Sequence, residues 1–96
     1  MNIRAIIIDD EPNNVENLRQ LLQKYCAEVE ILGFSTKPRE SIELIKILQP
    51  DLIFLDIEMP GLNGFELLNQ LGEINSEIIF VTAYNSYAIK AIRFNA

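Results

Sequence analysis

Asp51-Leu52-Ile53-Phe54-Leu55-Asp56 holds an unbroken apolar run between two acids. Apolar residues in direct succession, without polar alternation, suit a strand covered on both faces, as in a parallel sheet. Pro50 precedes the run, and Pro60, Gly61, Asn63 and Gly64 form a turn-rich stretch after it. The same pattern recurs outward from there. Ile3-Arg4-Ala5-Ile6-Ile7-Ile8 runs straight into Asp9-Asp10-Glu11-Pro12, Val29 to Phe34 reads as a second strand, and Ile78-Ile79-Phe80-Val81-Thr82 reads as a fourth. Between these runs the apolar period lengthens to that of a helix. Pro12 suits a first helical turn, where its missing N–H costs nothing, and Val15, Leu18, Leu21, Leu22 and Tyr25 recur at helical spacing up to about Cys26. Ser35 or Thr36 is expected to cap a helix that begins near Pro38, buries Ile42, Ile45 and Leu48, and stops at Pro50. Phe65, Leu68 and Leu71 predict a short third helix, and Tyr87, Ala88, Ala91 and Ile92 outline a fourth.

Strands alternating with helices imply right-handed crossovers and an α/β fold, an open parallel sheet with helices on both faces. The 96 residues fit one domain, 1–96. With 49% hydrophobic and 23% charged residues the chain has the composition of a packed domain, not a disordered segment. The net charge is −6 and the eight basic residues are scattered. A face that binds a phosphate backbone needs clustered Lys and Arg, so direct nucleic-acid binding by this segment is not expected. No apolar run approaches the ~20 residues of a membrane span, and the N-terminus lacks a charged-then-apolar leader pattern. The single Cys26 cannot form an internal disulfide, which makes the cytoplasm the expected location. The absence of His excludes histidine catalysis, imidazole metal ligands and a phosphohistidine carrier role on this chain.

In open α/β sheets, sites form beyond the carboxyl ends of the strands. Asp9 and Asp10 follow the first strand, Asp56 the third, and Thr82 ends the fourth. If the first and third strands are neighbours, three carboxylates meet in one crevice, where they must share protons or share a cation. Carboxylates with a main-chain carbonyl or two form an all-oxygen set suited to a hard ion such as Mg²⁺, and no thiolate or imidazole is at hand to favour zinc. A carboxylate is also a competent nucleophile toward phosphorus, yielding an acyl phosphate. Asp56, a lone acid at the tip of a buried strand, is the candidate nucleophile, and Asp9 and Asp10 are the better candidates for cation ligands. The Thr82 hydroxyl could donate to a phosphoryl oxygen, and the small Ala83 leaves room for the incoming group.

Asp9-Asp10, the stretch Leu52-Ile-Phe-Leu-Asp56-Ile-Glu-Met-Pro60-Gly61-Leu-Asn-Gly64, and Ile78-Ile-Phe-Val-Thr82-Ala83 together resemble the response regulator receiver family in type, order and separation. The resemblance covers essentially the whole chain. It implies a flavodoxin-like doubly wound parallel sheet of strand order 2-1-3-4-5, Mg²⁺ dependence and phosphorylation by a sensor histidine kinase. It further implies Asp56 as phosphoacceptor, Asp10 and Asp56 as direct Mg²⁺ ligands together with the Glu58 main-chain carbonyl, Asp9 acting largely through water, and Thr82 as the switch hydroxyl. Such a module is a phosphoacceptor that assists its own phosphorylation, not an enzyme acting on a separate substrate. The tail from Thr82 to Ala96 resembles the LytR/AlgR (LytTR) subfamily, whose members carry a C-terminal DNA-binding domain. Receivers normally place a Lys and an aromatic switch residue on a fifth strand. Lysines 24, 37, 46 and 90 all fall in or at the ends of expected helices. The last β-α unit is therefore expected to be missing, the fourth strand to be an exposed edge, and the uncovered apolar faces to drive self-association.

Plainer readings compete. Asp9-Asp10-Glu11 has an ordinary use as helix-capping acids; Asp51 opens its strand at the wrong end for a site and reads as structural. Thr82 is a good strand residue in any case, and Gly61 and Gly64 read as turn formers, since no phosphate-cradling glycine motif occurs. A phosphate-independent interaction module and, less well, a small aspartyl-phosphate phosphatase built on Asp56-Ile57-Glu58 are the rival functions. The phosphatase reading leaves Asp9 and Asp10 unexplained and lacks a second Asp.

Overall fold

The computed structural model describes the backbone of residues 2–85 and 88–94 and the side chains of residues 2–81. Its elements run β1 (Ile3–Ile8), α1 (Pro12–Tyr25), β2 (Val29–Ser35), α2 (Pro38–Leu48), β3 (Leu52–Asp56), α3 (Gly64–Leu71), β4 (Glu77–Asn85) and β5 (Ala88–Phe94). The sheet order is β2-β1-β3-β4-β5. The first four strands are parallel, as the apolar runs predict.

The fifth is a departure. Ala88–Phe94 pairs antiparallel with β4, Thr82 opposite Lys90 and Val81 opposite Ala91, where the sequence pattern suggested a fourth helix. Tyr87, the first residue of that expected helix, lies outside the described residues. Only two residues separate β4 from β5, and so short a connection permits an antiparallel return but no parallel crossover. The pairing satisfies backbone N–H and C=O groups that an open strand would leave unpaired. Ile89, Ile92 and Phe94 suit a strand as well as a helix. The expectation of an exposed fourth strand is thereby corrected, and Lys90 sits on a strand instead of a helix.

Strand alternation divides the core in two. Ile6, Ile8, Ile53, Leu55, Ile78 and Phe80 pack toward α2 and α3, meeting Ile45 and Leu67. Ala5, Ile7, Leu52, Phe54 and Val81 pack on the other side with Val15 and Leu22 of α1. Leu21 and Tyr25, which share the helical spacing of α1, are exposed. In α3 the fully buried residue is Leu67, whereas Phe65 is half exposed and leans its ring on Phe80 at 4.9 Å between centroids.

Helix ends are closed by specific groups. Neither Ser35 nor Thr36 caps α2: Lys37 holds the N-cap position, and the Ser35 hydroxyl accepts from the Lys37 amide (3.2 Å) and donates to its carbonyl (2.9 Å), shaping the turn before it. At the other end of α2, the Arg4 guanidinium donates to the carbonyls of Leu48 (2.9 Å) and Gln49 (3.1 Å), which tail helices leave without internal partners. Asp51 accepts from the Arg4 amide at 2.9 Å, the structural role expected of it. Asn63 and Glu66 form a reciprocal capping box on α3.

Candidate functional site

Register brings the acids together. Ile8 of β1 is paired with Leu55 of β3, so the next residues, Asp9 and Asp56, stand level at the carboxyl ends of adjacent strands. Both continue the alternation of the α1-facing residues Ala5, Ile7, Leu52 and Phe54. Asp10 joins them, and one carboxylate oxygen from each of Asp9, Asp10 and Asp56 lies within 4.8 Å of the others. Asp9 and Asp56 are buried and Asp10 is half-buried.

Main-chain amides orient two of the three. Asp9 Oδ1 accepts from the Glu11 amide at 2.9 Å and from the Asn14 side-chain amide at 3.5 Å. The capping reading of these acids is not met: Glu11 is the N-cap of α1 and makes no side-chain cap bond, and Asp9 accepts from the Glu11 amide, ahead of the first helical turn, and from a side chain. Asp56 Oδ1 accepts from the Glu58 amide at 3.2 Å, so Glu58 attends the site through its main chain while its side chain faces solvent. Burial pushes the Asp56 carboxyl up to about 7, with the charge of Asp9 and then Asp10 adding to the effect and the Glu58 amide opposing it. Burial also raises Asp9, against the pull of Glu11 and Asn14. Crowded carboxylates raised in this way gain most from a shared cation, and their all-oxygen chemistry fits Mg²⁺.

Thr82 follows Val81, the residue paired with Asp56, so its backbone is at the correct end of β4. Its hydroxyl and the Ala83 methyl lie outside the described side chains. Two contributors were not visible in the pattern of acids. Asn14 reaches Asp9 because the first turn of α1 folds back over the end of β1. Gly64, read from sequence as a turn former, presses on the Asp56 main chain. A cleft of about 500 Å³ between α2 and α3 is lined by Gln49, Pro50 and Asp51 and so opens at the opposite end of β3.

An acid trio at this edge of a 2-1-3-4 parallel sheet has a counterpart among known proteins. The family profile of the response regulator receiver domain matches residues 5–96. This chain belongs to the response regulator receiver family. The receiver is 42% identical over 95 residues to the transcriptional regulatory protein BtsR of Escherichia coli K12, covering 98% of this chain and 39% of that protein. It is 41% identical to an uncharacterized response regulatory protein of Vibrio cholerae, covering 98% of this chain and 40% of the relative. The receiver therefore spans about two-fifths of the length of these relatives. Among solved structures, the signal receiver domain of the response regulator NarL from Mycobacterium tuberculosis superposes with a TM-score of 0.77 at 25% identity, over 90% of this chain and 70% of that one. The response regulator domain of Thermotoga maritima CheB superposes at 0.73 with 28% identity, over 92% and 66%. These matches identify a receiver of two-component signalling and do not single out the LytR/AlgR subfamily. Receiver domains bind Mg²⁺ in an acidic pocket and interact with histidine kinases. Among the described residues, no helix is long and apolar enough to cross a membrane.

Proposed function

We propose that this receiver accepts a phosphoryl group from a sensor histidine kinase onto Asp56. The convergence of Asp9, Asp10 and Asp56 at one sheet edge carries the reading. An Asp56 carboxylate oxygen attacks phosphorus as the phosphorus–nitrogen bond of the donor phosphohistidine breaks, its electron pair leaving with the imidazole. The Glu58 amide holds Oδ1 and so sets the direction of the attacking carboxylate. Asp9, Asp10, Asp56 and the Glu58 main-chain carbonyl would hold Mg²⁺, which when bound neutralises charge on the transferring group. The Thr82 hydroxyl donates to a phosphoryl oxygen, and Ala83 leaves space for it. The chain acts as an acceptor and switch, not as an enzyme with a separate substrate.

The phosphoryl group then biases the surface of β4 and the segment after it between two packings. That shift would control an output domain of the kind that relatives of about two and a half times this length have room for. The LytR/AlgR-like tail favours a DNA-binding output, and relatives named as transcriptional regulators agree with a regulatory one. The cytoplasm is the matching location, since kinase and DNA would both be met there.

Intact-mass measurement after acetyl phosphate treatment tests this. One phosphoryl adduct is expected with Mg²⁺, none without it, and none in Asp56→Ala. An adduct persisting in Asp56→Ala would refute the assignment of the acceptor. A longer chain that supplies the fifth-strand Lys is treated alongside, since absence of that Lys would lower the yield on this chain. No adduct on either would favour the phosphate-independent module, and sustained hydrolysis of a generic phosphate ester would favour a phosphatase.

A further inference from the structure

We propose that Gly64 is a positioning residue for the cation site, because its missing side chain lets the first turn of α3 clamp the Asp56–Ile57 backbone. An added Cβ at Gly64 would lie 2.7 Å from the Asp56 carbonyl oxygen, 3.2 Å from Ile57 Cα and 3.4 Å from the Asp56 carbonyl carbon. All three neighbours are main-chain atoms, so no flexible side chain can swing aside. The Gly64 amide also donates to the Ile57 carbonyl at 2.9 Å. Two successive carbonyls that leave β3 are thus held against one residue of α3.

Backbone conformation does not demand glycine here. The glycines at positive φ are Gly61 and Gly72, and a Cβ on either would touch nothing within 4 Å. Gly64 is set apart by contact alone. What it touches is the peptide carrying Asp56 and leading to Glu58, whose amide in turn orients Asp56 Oδ1 at 3.2 Å. Pushing this segment outward would swing a carboxylate and a main-chain carbonyl that serve the cation together. The capping box one residue earlier, Asn63 with Glu66, stiffens the same turn and makes it a firm backstop.

The inference rests on the reading of Asp9, Asp10 and Asp56 as a Mg²⁺ site, and the test separates the two. Mg²⁺ affinity is measured by titration of the unphosphorylated chain, for the wild type, Gly64→Ala and Ile45→Ala. Ile45 is buried in α2, away from the acids, and serves as a control for lost stability. Gly64→Ala should weaken Mg²⁺ binding about tenfold or more, the scale seen when a group orienting a metal ligand is disturbed. Ile45→Ala should bind Mg²⁺ nearly as the wild type does, despite any fall in melting temperature. Wild-type affinity in a folded Gly64→Ala would overturn the clamp. Absence of Mg²⁺ binding by the wild type would instead overturn the cation reading beneath it. Should Gly64→Ala not fold, hydrogen exchange in the wild type decides. Linkage requires Mg²⁺ to raise protection of the Gly64 amide relative to that of Gly72 at the far end of α3, and an equal change at both would refute the clamp.

Discussion

Asp56 is raised from the ordinary 3.8 to about 7, chiefly by burial and then by the charge of Asp9. Below 3.8 the group is protonated in both folded and unfolded chains and adds nothing to the balance. Between 3.8 and about 7 the unfolded chain releases the proton while the folded chain keeps it, so stability falls as pH rises through this window. Asp56→Asn removes the penalty. The variant should match the wild type near pH 4 and exceed it by at least about 1 kcal/mol at pH 8, the worth of less than one pKa unit. Thermal melts across that range check this, and a difference that does not grow with pH would contradict it. Asp9 adds in the same direction, since burial raises it too. Mg²⁺ at pH 8 should recover the loss and raise the melting temperature, by up to about 2.7 kcal/mol of stability at a hundredfold excess over Kd. Asp10→Asn should abolish most of that gain.

At the scale of elements, α3 is short and depends on its ends and its one buried anchor. Asn63 accepts from the Glu66 amide at 2.9 Å while the Glu66 carboxylate accepts from the Asn63 amide at 3.0 Å. Asn63→Ala should cost about 1 kcal/mol in denaturant unfolding. Leu67 is fully buried against the sheet, and Leu67→Ala should cost about 2–5 kcal/mol, well above the effect of truncating the half-exposed Phe65. A loss at 65 equal to that at 67 would mean that Phe65 anchors the helix as firmly as Leu67, against this reading. The spacing of Phe65, Leu68 and Leu71 located this helix correctly but not its deepest residue. An apolar stripe two residues wide can roll by one position, and only packing into the buried core that holds Ile53 and Ile78 settles which residue turns inward.

Across the whole molecule, large apolar side chains remain in water: Ile47 is 74% exposed, Tyr25 70%, Phe34 57% and Phe65 54%. They lie on α1, β2, α2 and α3, so both faces and the β2 edge of the sheet offer adhesive surface. Concentration-dependent association is expected in sedimentation velocity, and a strictly monomeric species at high concentration would exclude it. The charge of −6 opposes association, so added salt should strengthen it.

The sequence by itself determined the parallel strands, their burial on both faces and the placing of Asp9, Asp10 and Asp56 at strand ends. These follow from local signals: continuous apolar runs, the prolines and glycines that end them, and acids at the final positions. It did not determine that residues 88–94 would form a strand, because Ala, Ile and Phe at those spacings satisfy a helix and a strand alike. The open side of β4 and a two-residue connection decided it. Nor could it show that Gly64 is held by contact rather than by its φ angle, since that requires the path of the chain from Asp56 back onto itself. Tertiary structure alone supplies such information, because hydrogen-bond partners and the distances between main-chain segments belong to pairs of residues that no local pattern joins.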